Sequence, residues 1–315
     1  MFTDFYFAIQ TTMPIFCIIA LGVLFKRIGW VTEEFAKVGS DLVFKVTLPC
    51  LLFVKIVKTD FNHGLPVTLV VYALVATAVI FLFLDRFLAP LLNEPLDRGV
   101  FVQGAFRSNM GIIGLAYCLS AFGESVVATA SIYLAIVTIF FNILAVITLT
   151  RHQDDAVGQR NFAKLFGGII RNPLILSICV AMLVSVSGIY VPEVLLNTGG
   201  YFAQMTLPLA LLCAGASIRL HEFQTSRPLY WAVSGKLVFV PLLITLGGVA
   251  IGLRGESLGV LFLMSASPTA AASYPMAQAM KTNYHLAAAI IAATSLGALI
   301  STTFGLFVLR AFNLI

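Results

Sequence analysis

Charge is what this chain most lacks. Of its 315 residues only 10% are Asp, Glu, Lys or Arg, against 60% hydrophobic, and the mean hydropathy is +1.00. That balance excludes an ordinary soluble domain and points to an integral membrane protein. The apolar runs have no two-residue alternation, which excludes barrel strands and leaves helices. Cysteine is scarce as well. Cys17, Cys50, Cys118, Cys179 and Cys213 all lie in apolar segments and are odd in number, so they read as small buried hydrophobes rather than a disulfide framework. The four histidines, His63, His152, His221 and His285, fall in loops or at span ends without HExxH or another ligand spacing. GxSxG, CxxC and P-loop signatures are missing too, so no enzyme chemistry, cofactor, metal or ATP-driven step is expected. The net charge of +5 comes from basic residues scattered singly between apolar runs. They read as topology signals and not as a nucleic-acid surface. The start, Met1-Phe2-Thr3-Asp4, has no basic n-region, and its apolar run ends in Lys26-Arg27 rather than a cleavage site. It reads as a retained span.

What is present is a series of apolar runs, each long enough to cross ~30 Å of hydrocarbon. They predict ten helices, at 5–25, 36–57, 66–85, 98–122, 125–150, 171–190, 194–218, 228–252, 257–280 and 285–311. The most polar stretch, RHQDDAVGQRNFAK from Arg151, falls mid-chain. It divides a first five-helix unit at 1–150, a central loop at 151–170 and a second unit at 171–315. At an offset of 159 residues Pro14 meets Pro173, Gly29 meets Gly188, and Thr47-Leu48-Pro49 meets Thr206-Leu207-Pro208. A duplication is expected, and an odd number of spans per unit makes the second copy inverted. Loops after the odd-numbered spans carry twelve Lys and Arg and the opposite side four, with Lys45, Arg107 and Lys236 inside spans. The positive-inside rule then puts both termini outside and the central loop in the cytoplasm.

Several short sequences in order carry a family likeness: Arg107-Ser108-Asn109 in span 4, Arg171-Asn172-Pro173 opening span 6, and Thr206-Leu-Pro followed by Cys213-Ala-Gly-Ala-Ser-Ile218 in span 7. With the span count and the mid-chain loop, the chain resembles the auxin efflux carrier family of membrane transport proteins, especially its bacterial members, over essentially its whole length. The resemblance implies an inverted repeat in which spans 4 and 9 are broken and cross near the membrane centre, with substrate at the crossing. It implies a substrate-binding role for Asn109, facing the stretch Ser267-Pro268-Thr269-Ala270-Ala271-Ala272-Ser273-Tyr274-Pro275. Plant members carry Gly-Ile-Pro at the span 4 crossing, where this chain has Gly114-Leu115-Ala116. A break in span 4 would therefore rest on Gly111 and Gly114.

Arg107 lies about nine residues past Arg98, roughly 14 Å into the membrane at ~1.5 Å per residue. A charge there costs at least ~2.5 kcal/mol, so it faces a partner or a watery cavity. It either pairs with a carbonyl or carboxylate, or attracts an anionic substrate. Ser108, Asn109, Thr269 and Ser273 are substrate-binding candidates of the hydrogen-bonding kind; the alternative is polar glue between helices, favoured for Ser273. Gly111, Gly114, Pro268 and Pro275 permit helix breaks, or merely kinks. Pro49 and Pro208 mark kinks or breaks in spans 2 and 7. Asp41 is the acid placed inside a span, four residues before Lys45, where an ion-coupling role competes with a structural pair. Lys236 and Asn142, each deep in a span, are secondary candidates.

The function expected from the resemblance is a secondary active transporter moving a small organic anion by alternating access across a bacterial inner membrane. Family substrates are malonate and malate in bacteria and auxin in plants. With the interior negative, importing one net negative charge costs ~2.3 kcal/mol per 100 mV, so dianion uptake needs H+ or Na+ whereas export does not. A sodium-coupled carrier like the bile-acid symporters is one alternative, and a non-transporting sensor or intramembrane enzyme is another. Membrane lipid is an expected partner and a homodimer is left open.

Overall fold

The computed structural model describes residues 2–58, 66–152, 173–218 and 226–315. All but the first two residues of the expected central loop, together with Arg171, Asn172, His63 and His221, lie outside the described residues. The described residues are helical, apart from turns and one isolated antiparallel bridge.

Helix α1 spans Phe2–Arg27. Its last turn carries Lys26 and Arg27, which suit the negative end of the helix dipole. Gly29 ends it in the left-handed region at φ +82°, and Trp30 N–H donates back to the Phe25 carbonyl at 2.9 Å, an ending that suits glycine. Helix α2 opens at Glu33 under the Thr32 cap, whose hydroxyl accepts from Phe35 N–H at 3.1 Å. It runs to Val57 through a wide π turn at Val43–Thr47. That turn precedes Pro49, which has no N–H to donate backwards. Helix α3 covers Val67–Phe83 and a second π turn, Leu84–Leu88.

Helix α4 is in two pieces, α4a at Pro95–Phe106 and α4b at residues 110–122, the latter opening with a π turn at Met110–Gly114. Helix α5 is Val127–Arg151, α6 is Pro173–Ser187, and α7 is Glu193–Ala216. Gly188, just past α6, is also left-handed, at φ +64°. The Gly29 and Gly188 match at the 159-residue offset therefore has a physical cause, since each supplies the turn that stops a helix. Helix α8 is Arg227–Ala250 with a π turn at Gly235–Phe239. Helix α9 is again divided, into α9a at Gly255–Ala266 and α9b at Ser273–Ala279. Helix α10 is Tyr284–Ala311.

Five helical stretches among the described residues are long and apolar enough to cross a membrane: Thr3–Arg27, Val67–Leu91, Met110–Arg151, Arg227–Ala250 and Tyr284–Ala311. Their outer faces are apolar. Val67, Val71, Val75 and Val79 form a four-residue-spaced stripe on α3, each more than half exposed. Leu243 and Leu246 do the same on α8, and Ile300 and Phe304 on α10. Water would not tolerate such stripes, whereas lipid does.

Helices α1, α2, α6 and α7 pack together, α1 on α7 and α2 on α6, while α3, α4, α5, α8, α9 and α10 form a second group. Helix α1 also meets α10, where Thr12 and Thr303 hydroxyls lie 2.7 Å apart and Phe5 and Phe307 stack edge-on. Asp4 and Arg310 sit 3.9 Å apart at the same end, so the start of the first helix and the end of the last lie on one side.

Helix α7 continues through Pro208 without a break, which leaves the kink of the two readings for that proline: loss of one N–H is tolerated where the neighbouring turns hold. Asp41 and Lys45 form an exposed pair at 2.8 Å, whereas Asp85, the last residue of the expected 66–85 span, is the buried acid among the described residues. The π turn carries α3 past residue 85, and Asp85 accepts from Thr148 Oγ1 at 2.7 Å, Arg151 Nη1 at 2.7 Å and His152 Nε2 at 3.1 Å. Three partners make its burial tolerable.

The α1–α7 contact depends on glycine. A side chain on Gly215 would fall on the Ile19 carbonyl, and one on Gly22 on the Leu212 carbonyl, while Gly200 in α7 faces open space. Overpacking costs ~1–3 kcal/mol. Gly215→Leu should accordingly lower the thermal midpoint of the purified protein by several degrees while Gly200→Ala leaves it in place. Matching midpoints for the two variants would show that α1 and α7 do not meet there.

Candidate functional site

The two helix breaks meet. Helix α4a stops at Phe106 and Arg107 turns extended, at φ −80° and ψ 116°. Helix α9a stops at Ala266 and Ser267 turns extended, at φ −60° and ψ 146°. The extended segments run antiparallel, with Ser108 opposite Thr269. Asn109 N–H donates to the Pro268 carbonyl at 2.7 Å, and Ala270 N–H donates to the Arg107 carbonyl at 3.2 Å. Away from water, an unwound backbone survives only if its polar groups find such partners.

Side chains complete the pairing. Pro268 has no N–H for the Met264 carbonyl, which instead accepts from Ser267 Oγ at 2.9 Å. The Ala266 carbonyl accepts from Thr302 Oγ1 at 3.3 Å. Thr269 is held from both ends: its N–H donates to Thr294 Oγ1 at 3.1 Å and its own hydroxyl donates to the Gly104 carbonyl at 2.7 Å. Ser108 Oγ donates to the Ser265 carbonyl at 3.1 Å.

The break in α4 falls at Arg107–Asn109, ahead of Gly111 and Gly114, which lie in the π turn that opens α4b. No span 4 proline is needed, because the partner segment supplies the lost hydrogen bonds. Gly114 serves a different purpose: a Cβ there would lie 2.9 Å from Met264 Sδ, so its absence lets α4b approach α9a. Gly111 faces Leu48 of α2. Pro268 lies in the unwound segment, while Pro275 lies inside α9b in its first turn, where a missing N–H costs least.

Arg107 is buried. Its Nη2 donates to Asn142 Oδ1 of α5 at 2.6 Å and Nη1 points at Met276 Sδ of α9b. Its partners are therefore neutral, and no carboxylate pairs with it among the described residues. Asn109 is half-buried at the N-cap of α4b, and its side chain makes no capping bond. Ser273, expected to be interhelical glue, is buried with no partner for its hydroxyl, as is the Gln103 amide oxygen. Burial without a partner is the opposite of glue.

The structure thus brings together Arg107, Ser108, Asn109, Pro268 and Thr269, with Ser273 four residues on from Thr269. Asp41, Lys45, Pro49 and Pro208 belong to α2 and α7 and take no part in the paired segments. Two residues ranked second from sequence prove central: Asn142 holds Arg107, and Lys236 reaches Ser108. The signal for both was depth in an apolar helix. The acid cluster on Asp85 was not foreseen, although its members sit at the ends of neighbouring spans.

Residues 7–306 match the family model described as membrane transport protein. The Escherichia coli (strain K12) protein named "Uncharacterized transporter YfdV" is 24% identical over 314 residues, covering 96% of this chain and 98% of the other. "Uncharacterized transporter MJ1031" of Methanocaldococcus jannaschii is 22% identical over 312 residues, covering 95% and 96%. The likeness therefore runs the whole length of both chains.

Removing the Asn142 amide would leave a buried guanidinium one acceptor short, and a hydrogen bond to a charged group is worth ~1.5–3 kcal/mol. Asn142→Ala should destabilise the purified protein by about that amount in a denaturant or thermal melt. An unaltered melt would show that Asn142 and Arg107 are not bonded.

Proposed function

We propose, since the chain belongs to the membrane transport protein family that includes the auxin efflux carriers, that it is a secondary carrier of a small organic anion. The cargo in this reading is a malonate- or malate-like carboxylate, moved by alternating access across a bacterial inner membrane, with the binding site at the α4–α9 crossing. The observation that carries it is uncompensated positive charge. Arg107 is buried among neutral partners, and the sequence holds no acid between Asp97 and Glu124 and none after Glu256. A buried cation with no counter-ion is costly, and an anionic cargo supplies what the protein omits. Asn109 and Ser273, each with an uncommitted polar side chain, are the groups assigned to orient the carboxylate.

Ten spans in two inverted units belong to the same proposal. Its support is the packing of α1 on α7 and α2 on α6, contacts that exchange with each other under the 159-residue offset. The two groups of helices are then the parts that shift past one another. Dianion uptake against an interior-negative potential calls for coupled cations, and protons are the species assigned here, with Asp41 of the Asp41–Lys45 pair as the acid to replace first.

Reconstitution tests this. Proteoliposomes should take up labelled malonate or malate, faster with an inward proton gradient than without. Asn109→Ala should raise KM about tenfold, the ~1.4 kcal/mol of one oriented hydrogen bond, without changing the thermal midpoint. No flux of either carboxylate in either direction would overturn the carrier reading, and gradient-independent accumulation would remove the proton.

A further inference from the structure

Lys236 is fully buried on α8, yet it has no acidic partner among the described residues. The sequence makes one hard to supply: α8, α9 after Glu256 and α10 contain no Asp or Glu, and α4 has none between Asp97 and Glu124. Its ammonium instead meets oxygens. Nζ donates to the Ser265 carbonyl at 2.9 Å and to Ser108 Oγ, and Ser108 Oγ donates to the same carbonyl.

That carbonyl needs a partner because of the break. It is among the last four of α9a, which lose their helical donors where the chain unwinds. The N–H four residues on, at Thr269, is committed to Thr294, and position 268 is proline. The end of a helix also carries partial negative charge. Carbonyls at unwound backbone and at half-helix C-terminal ends coordinate small monovalent cations in membrane carriers, and the Ser265 carbonyl is such an end, with the Ser108 hydroxyl beside it. Here an ammonium fills that role. The sequence of α8 delivers it: Lys236 lies in the π turn Gly235–Phe239, and a Cβ on Gly235 would lie 3.3 Å from Ala105 Cβ. The missing side chain lets α8 press against α4a just before its break.

We propose that Lys236 is a resident cation: tethered to α8, its ammonium fills an oxygen cradle formed by Ser108 and Ser265 that would otherwise take a free monovalent cation such as Na+. A tethered cation does not diffuse away, so the crossing needs no sodium to assemble. The cradle stands on its own geometry; only its consequence for transport rests on the carrier reading.

The test is a set of thermal melts of the purified full-length protein at equal ionic strength in sodium, methylammonium, tetramethylammonium and N-methylglucamine chlorides. The wild type should melt at one temperature in all four. Lys236→Ala should melt several degrees lower in N-methylglucamine and recover at least half of that loss in sodium or methylammonium, but not in tetramethylammonium, which is too large for the vacated space. A second variant, Lys236→Ser, adds a hydroxyl to the cradle and should respond in the same way if the alanine form does not purify. Recovery in no salt, failure of both variants to fold even with sodium or methylammonium present, or a sodium-dependent wild type would each overturn the proposal. In proteoliposomes, wild-type malonate uptake should ignore sodium while that of Lys236→Ala requires it. Absence of uptake by the wild type would sink the carrier reading alone and leave the melts to decide the cradle.

Discussion

Two backbone hydrogen bonds hold the centre of this molecule together: Asn109 N–H to the Pro268 carbonyl, and Ala270 N–H to the Arg107 carbonyl. Each joins an unwound stretch that could not survive alone in an apolar surrounding, where an unpaired amide or carbonyl costs several kcal/mol. Each helix break therefore requires the other. This mutual requirement explains why so many hydroxyls gather nearby: Ser267, Thr269, Thr294 and Thr302 each serve a carbonyl or N–H that the breaks released. It also explains the close approach at Gly114, where a side chain would hold α4b away from Met264 of α9a.

The electrostatics follow from the same geometry. Breaking two helices creates two C-terminal ends inside the protein, each carrying partial negative charge. A cation accompanies each one. Arg107 is itself the C-cap residue of α4a, and Lys236 donates to a terminal carbonyl of α9a. The two are not equivalent. Lys236 is consumed by the oxygens it holds, whereas Arg107 leans on one amide oxygen and a thioether sulfur, and a weak acceptor such as sulfur leaves a guanidinium able to bind something better. The N-terminal end of α4b lies on the other side of the break, with Asn109 at its cap. Positive ends and an under-committed guanidinium together favour a carboxylate.

Much of this is legible in the sequence, for a specific reason. An arginine at membrane depth and a proline-bearing polar stretch one repeat later are costly in lipid, and costly residues stand out against an apolar background. Arg107 stands out that way, while Asn109, Pro268 and Thr269 are pointed to by the family resemblance. The break in α4 was misplaced onto Gly111 and Gly114 because glycine and proline mark where a helix is able to break, while the position actually used depends on where the partner strand offers donors and acceptors. Asp41 lies in an exposed pair and Asp85 is buried for a similar reason. Burial of an acid depends on the face it occupies and on the π turn of α3, and neither is written in hydropathy. Ser273 is the clearest failure: serine in an apolar helix reads as glue, and only the three-dimensional surroundings reveal that nothing answers its hydroxyl.

The partners of the crossing also define which helices travel with it. Arg107 is tied to α5 through Asn142, Ser108 to α8 through Lys236, and Thr269 and Ala266 to α10 through Thr294 and Thr302. By contrast, Gly111 faces Leu48 of α2, where a Cβ would lie at ordinary van der Waals distance, 3.7 Å. The polar connections of the crossing itself therefore run within the group formed by α3, α4, α5, α8, α9 and α10, while the polar contacts to the α1, α2, α6 and α7 group, such as Thr12–Thr303 and Asp4–Arg310, are made by other residues. Sliding at Gly111 would exchange one set of dispersion contacts for another, whereas the α1–α10 contact would have to give up the Thr12–Thr303 hydrogen bond. Motion within the α3, α4, α5, α8, α9 and α10 group would strand buried charges and carbonyls. The hydrogen bonds that make the breaks tolerable also tie the crossing to its own group of helices.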